Sequence, residues 1–228
     1  MQIFNDFLAL IFPNTCFVCM DALAKGEEYI CTPCRYKLPK TNFHKEVENP
    51  LHQRFYGIIN VKHVYSYLYF IKSGSVSSLL YKLKYGNVPE LGEVLGRWFG
   101  KDLQEVGIGE EYDLIIPVPL HKSKFRKRGY NQSDGIAKGL SEVLNLPFSD
   151  KVLIRSHKSQ SQTSKGRIER WKNVENIFEV KKPGDVKDKR ILLVDDVLTT
   201  GATLEACATA VVKAGCADVG IVTLAAAQ

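Results

Sequence analysis

At 228 residues, 45% hydrophobic and 25% charged, the chain is long enough for one well-buried α/β domain plus a small appendage, and its composition excludes wholesale disorder. The formal charge of +6 is modest for this length, so its location matters more than its sum: positive charge gathers from Lys122 to Arg128 and from Arg155 to Lys172. The apolar N-terminal run Ile3 to Phe12 is too short for a membrane span, carries Asp6 and lacks a basic start, so a cytoplasmic protein is expected.

Four of the six cysteines stand as Cys16-x-x-Cys19 and Cys31-x-x-Cys34, with eleven residues between the pairs. Paired hooks of this kind wrap one tetrahedral ion in thiolates, and the spacing predicts a small N-terminal four-cysteine zinc ribbon holding structural Zn2+. Redox or disulfide use is the alternative, and disulfides are rare in the cytosol. Four thiolates leave no open coordination position, which argues against a catalytic zinc. The knuckle either docks nucleic acid or protein, or it staples a segment too small to hold a core; stapling is the simpler reading. Cys207 and Cys216 lack a paired hook and are assigned no chemistry.

The polar stretch Leu38 to Asn49, flanked by Pro39 and Pro50, marks a boundary that divides the N-terminal segment and ribbon, residues 1–45, from a larger domain, residues 46–228. Val61 to Phe70 is rich in β-branched and aromatic residues and reads as a strand. Val76, Leu79, Leu80 and Leu83 recur at helical spacing from Ser75 to Gly86, and a second amphipathic helix is expected from Pro89 to Leu103. Asp113 to Pro119 reads as a buried strand followed by a helix from Gln132 to Leu144; Arg190 to Val194 is a second buried strand, with a helix from Thr203 to Ala214 and a last strand from Val219 to Leu224. This alternation predicts an α/β fold with a doubly wound, mainly parallel sheet. Ligands in such sheets sit beyond the carboxyl ends of the strands, so chemistry is sought after Pro117 and after Val194.

After Val194 come two carboxylates, a hydroxyl-rich loop and a helix start: Asp195, Asp196, Val197, Leu198, Thr199, Thr200, Gly201, Ala202 and Thr203. A loop of backbone amides entering a helix N-terminus is an anion site, because those donors lack intrahelical partners and the helix dipole favours negative charge. Gly201 permits close approach to a phosphate, and the threonine hydroxyls can donate to its oxygens. Adjacent carboxylates can accept hydrogen bonds from vicinal sugar hydroxyls, so a 5′-phosphorylated ribose suits both halves of the segment. The plainer reading is a solvated acid pair and an ordinary helix-capping turn.

Two basic segments accompany it. Lys122, Lys124, Arg126 and Arg128 lead into Gly129, Asn131 and Gln132 beyond the Pro117 strand, where such charge suits pyrophosphate. The polar, basic stretch around Gln162, Thr163, Arg167, Arg170 and Asn173 reads as a mobile lid, or more plainly as a surface loop.

The stretch Val194 to Thr203 closely resembles the PRPP-binding signature of type I phosphoribosyltransferases, where PRPP is phosphoribosyl pyrophosphate. The resemblance implies that fold, a ribose held by Asp195 and Asp196, a 5′-phosphate cradled by Thr199 to Thr203, and Mg2+ on the pyrophosphate. Salvage enzymes for 6-oxopurines carry an aspartate where Thr199 stands, so that substrate is disfavoured. Pro-Val-Pro-Leu-His followed by Arg-Gly-x-Asn-Gln, the Ser-Gln-Thr stretch with Arg167, Arg170 and Asn173, the front knuckle and Leu83-Lys84-Tyr85 together resemble the ComF family over nearly the whole chain. That resemblance implies DNA uptake during natural competence, with incoming single-stranded DNA and a helicase-like protein as partners.

Two functions follow as expectations. One is Mg2+-dependent phosphoribosyl transfer to an acceptor that no motif fixes, with Asp195 and Asp196 at the catalytic centre; a nucleotide-salvage transferase is a variant of it. The other is a non-catalytic single-stranded nucleic-acid-binding module on the same fold, suggested by bases interleaved with aromatics in Lys124-Phe125-Arg126 and Arg128-Gly129-Tyr130.

Overall fold

The computed structural model describes residues 13–46, 48–155 and 177–227. At its centre the apolar run Ile191 to Val194 has no accessible surface. Such a run fits a strand covered on both faces, and it lies in β5, Arg190–Leu198. β5 pairs in parallel with β6, Asp218–Ala227, and with β2, Leu114–Pro117, while β1, Val64–Phe70, flanks β6. The order is β1-β6-β5-β2. Because β2 and β5 are adjacent and parallel, with Pro117 opposite Val194, the segments leaving them meet at one sheet edge.

Alternation along the strands divides two apolar cores. Leu192 and Val194 join Tyr65, Ile115 and Val222 under α2 (Ser75–Tyr85), α3 (Glu90–Gln104) and α6 (Gln132–Leu144). Ile191 and Leu193 join Ile116, Val219 and Ile221 under α7, Ala202–Lys213. α3 and α6 touch backbone to backbone: a Cβ added at Gly139 would lie 2.2 Å from the Glu93 carbonyl oxygen. This contact sets the position of α6, whose N-terminus faces the strand ends.

The cysteine segment does not stand apart from this core. Cys16, Ile30, Cys31 and Leu38 are buried in the same cluster as Tyr65, Leu79 and Leu83, and the short helix α1, Thr32–Tyr36, lays Arg35 on Trp98 of α3 at 4.1 Å from the ring centroid.

Three details differ from the sequence expectation. Lys122 to Arg128, for which the sequence suggested no regular element, is a helix, α5: His121 Nδ1 accepts from the Ser123 amide at its start, and Gly129 at φ +82° ends it. Lysine and arginine are good helix formers, but a short helix with no buried side chain leaves no apolar period to detect. The second difference is that β5 runs four residues past Val194, through both acids, because β6 continues to pair with it as far as Ala226. Finally, an antiparallel pair, β3 (Leu153–Arg155) with β4 (Phe178–Val180), was not legible from such short runs. One further short helix, α4 (Ile108–Glu111), precedes β2. No described helix is long and apolar enough to cross a membrane.

Candidate functional site

Where β5 hands over to α7, Asp195 and the residues from Val197 to Leu204 line an open cup. Gly201 sits at φ +89° as the residue preceding α7 and offers no capping side chain, while Thr200 Oγ1 accepts from the Ala202 amide at 3.5 Å. The opening residues of this 12-residue helix, Ala202 to Leu204, line the cup, so its N-terminal end is directed there. A Cβ at Gly201 would come within 3.3 Å of the Phe55 ring as well as being strained, so the loop is packed from below. Arg54, on the 3-10 turn His52–Phe55, donates through Nη1 to the Thr199 carbonyl and through Nη2 to the Ala227 carbonyl at 2.6 Å. It ties the cup loop to the end of β6. Sequence reasoning missed Arg54, since a lone arginine in an irregular stretch carries no pattern.

The two acids are each half engaged. Asp195 Oδ1 accepts from Ser133 Oγ at 3.0 Å and from the Asp196 amide at 2.9 Å. Asp196 Oδ2 accepts from Gln132 Nε2 at 3.0 Å and pairs with Lys84 Nζ at 2.9 Å. Among the described residues the other oxygen of each, Oδ2 of Asp195 and Oδ1 of Asp196, accepts no hydrogen bond, and neither counts as a buried unpartnered atom. Each acid is thus oriented by one oxygen and open at the other. Burial, and then the neighbouring charge of Asp196, push the Asp195 carboxyl up to about 7. Asp196 lies deeper, at 6% exposure, with its charge matched by Lys84. A diol-binding acid pair was expected; the structure adds a scaffold cation and three donors, all on one oxygen of each group.

The start of α6 organises those donors. Asn131 caps it, accepting from the Ser133 amide, while its Nδ2 donates to the Val118 carbonyl at 3.1 Å and to Asp134 Oδ1 at 2.6 Å. Burial pushes Asp134 up to about 6. Arg128 Nη1 donates to Gln132 Oε1 at 2.6 Å, so a relay runs from Arg128 through Gln132 to Asp196. Of the residues predicted for the pyrophosphate, Gln132 contacts Asp196 and Arg128 reaches it through Gln132, Asn131 fixes the helix, Gly129 closes α5, and Lys122, Lys124 and Arg126 project into solvent. Ser133 was overlooked although it follows Gln132 directly. Lys84 was noted only as part of a family resemblance, and its partner lies far along the chain. The expected lid residues Gln162, Thr163, Arg167, Arg170 and Asn173 lie outside the described residues.

At the other end, the four cysteine sulfurs of Cys16, Cys19, Cys31 and Cys34 lie within 4.8 Å of one another. Burial works to raise the Cys16 thiol, but backbone amide contacts from Cys19, Cys31 and Val18 override it and draw it down to about 6. Burial and the neighbouring thiols push Cys34 up. Four sulfurs this close, with amides of Val18 and Cys31 directed at Cys16 Sγ, form a set that could bind zinc.

Comparison with known proteins finds relatives for both halves of the chain. The phosphoribosyl transferase domain family matches residues 131–228, from the α6 cap through β6. The chain is 26% identical over 233 residues to the DNA utilization protein YhgH of Shigella flexneri, covering 93% of this chain and 96% of that protein. It is 32% identical over 114 residues to Competence protein F of Haemophilus influenzae, covering half of each, and 31% identical over 129 residues to Competence protein ComFC of Streptococcus pneumoniae, covering 57% of this chain and 53% of that one. The parallel α/β fold is that of the phosphoribosyltransferase domain.

Proposed function

We propose that this chain, which belongs to the ComF family, binds the ribose 5-phosphate end of PRPP in the cup between β5 and α7 and acts in DNA uptake and its handling. The observation that carries the ligand reading is the pair of half-engaged acids beside the N-terminal end of α7. The loop from Thr199 to Thr203 meets the phosphate through amide and hydroxyl donors, and Asp195 Oδ2 with Asp196 Oδ1 accepts from the ribose diol. Lys84 and Arg128 supply cationic charge toward the pyrophosphate. Mg2+ would arrive on the pyrophosphate and neutralise part of its charge. Catalysis of phosphoribosyl transfer by such a site is electrostatic and positional.

Of the expected division into 1–45 and 46–228, the described part of the first unit, residues 13–45, serves as a cap stapled onto the second. Zn2+ suits the four-thiolate set, and a closed site of that kind stabilises a fold rather than doing chemistry.

Titration calorimetry of PRPP with Mg2+ tests the ligand reading. Wild type is expected to release binding heat, and the Asp195→Ala plus Asp196→Ala variant to lose at least tenfold in affinity. Absence of heat for wild type, or an unchanged affinity in the folded double variant, would overturn it.

A further inference from the structure

We infer that the solvent face of α2, joined to α5, is a stacking platform for single-stranded DNA centred on Tyr81, Tyr85 and Arg128. The inference rests on the DNA-handling reading above and gives it a surface.

α2 buries Val76, Leu79, Leu80 and Leu83, which leaves Tyr81 and Tyr85 on the other side, 63% and 55% exposed. Spaced four apart, they stand together with ring centroids 5.2 Å apart. Neither ring is needed by the core, and two large rings open to water on one helix face call for a partner. The Arg128 guanidinium lies 5.2 Å from the Tyr85 centroid, and Gln132 holds it there.

Arg128 also joins this aromatic pair to α5, whose seven residues include five bases and no acid. Lys122, Lys124, Arg126 and Lys127 are exposed and make no ion pair among the described residues, and Phe125 stands among them at 46% exposure. Unpaired cations attract a polyanion, and open rings attract flat, unstacked bases. A duplex hides its base faces within its own stack, and an acidic protein would need the cations but not the rings. The combination selects a single strand.

The platform adjoins the cup through named contacts: Lys84, next to Tyr85, pairs with Asp196, and Arg128 reaches the same acid through Gln132.

The test is fluorescence anisotropy of a labelled oligodeoxythymidylate with the full chain, alongside PRPP calorimetry on the same samples. Tyr81→Ala with Tyr85→Ala is expected to weaken the oligonucleotide about tenfold or more and leave PRPP binding unchanged. Tyr81→Phe with Tyr85→Phe, which keeps the rings, is expected to stay within about twofold. Both positions face solvent, so a circular dichroism melt should match wild type. Oligonucleotide affinity unchanged in the alanine variant, equal weakening in the phenylalanine variant, equal competition by polyglutamate, or no binding by wild type would each overturn the platform. The PRPP titration reports separately on the cup, so the two failures are distinguishable.

Discussion

Lys84 Nζ lies 2.9 Å from Asp196 Oδ2, linking the last turn of α2 to the middle of the acid-bearing strand. Asp196 is nearly sealed from solvent and Lys84 only a quarter exposed, so the pair is more than a surface contact. The other partner of Asp196, Gln132, supplies a dipole but no charge. Lys84→Met should therefore leave an unmatched carboxylate and lower stability at neutral pH by about 1–2 kcal/mol, a figure discounted for the exposure of the lysine. Urea unfolding at pH 7.5 measures it. Lys84→Met combined with Asp196→Asn should recover most of the loss, because the second change removes the stranded charge. Equal losses in single and double variants would show that the lysine acts through packing instead.

The neighbouring acid makes a prediction about pH. Burial, and then the neighbouring charge of Asp196, push the Asp195 carboxyl up to about 7 from its ordinary 3.8. The folded state therefore binds the proton more tightly than the unfolded state between those values, and stability falls as pH rises from about 4 to about 7. Asp195→Asn removes the penalty. The variant should be more stable than wild type at pH 8, by on the order of 2–4 kcal/mol, and the gap should close toward pH 4. Urea midpoints at pH 4.5, 6 and 8 give the comparison; a gap that stays constant would mean that Asp195 carries no raised pKa.

Arg54 holds the cup loop from outside, through the Thr199 and Ala227 carbonyls. Arg54→Ala is expected to free the loop, weaken PRPP about tenfold and raise amide hydrogen exchange from Thr199 to Thr203. Its effect should be on affinity and exchange rather than on folding, since the sheet is packed elsewhere. Unchanged exchange in the loop would contradict a positioning role for Arg54.

How much of this was legible beforehand follows from the kind of signal each part leaves. β5 and α7 announce themselves, because a run such as Ile191 to Val194 and the acid-threonine-glycine loop after it are local patterns. α6 has the bounds expected of it, Gln132 to Leu144, and the structure supplies the reason: Asn131 caps its start, and Ile136, Leu140 and Leu144 are buried at helical spacing. What stayed hidden is whatever depends on distance in the chain. Nothing near Asp196 in sequence tells that Lys84 will neutralise it, and nothing near Thr199 points to Arg54. α5 escaped for a different reason: a helix with no buried face has no hydrophobic period, and its cap at His121 is a residue rarely used for the purpose.

The cysteine cluster makes the last prediction, because its residues reach the cup through α2. Cys16 and Cys31 are buried against the core that holds Leu79 and Leu83, and Lys82 of the same helix lies 5.2 Å from the ring centroid of Phe17. Two residues further along, Lys84 pairs with Asp196. If Zn2+ ties the four sulfurs, stripping it with a mercurial reagent and a chromogenic chelator should release one ion per chain and lower the melting temperature by about 5–10 °C. Loosening of the cap should also loosen the helix that carries Lys84, so PRPP affinity is expected to fall by a few-fold in the stripped protein and to return when zinc is restored. Cys19→Ser, at the exposed edge of the cluster, provides the same comparison without reagents. A stripped protein that melts and binds like the loaded one would reduce the four thiols to a cluster without structural consequence.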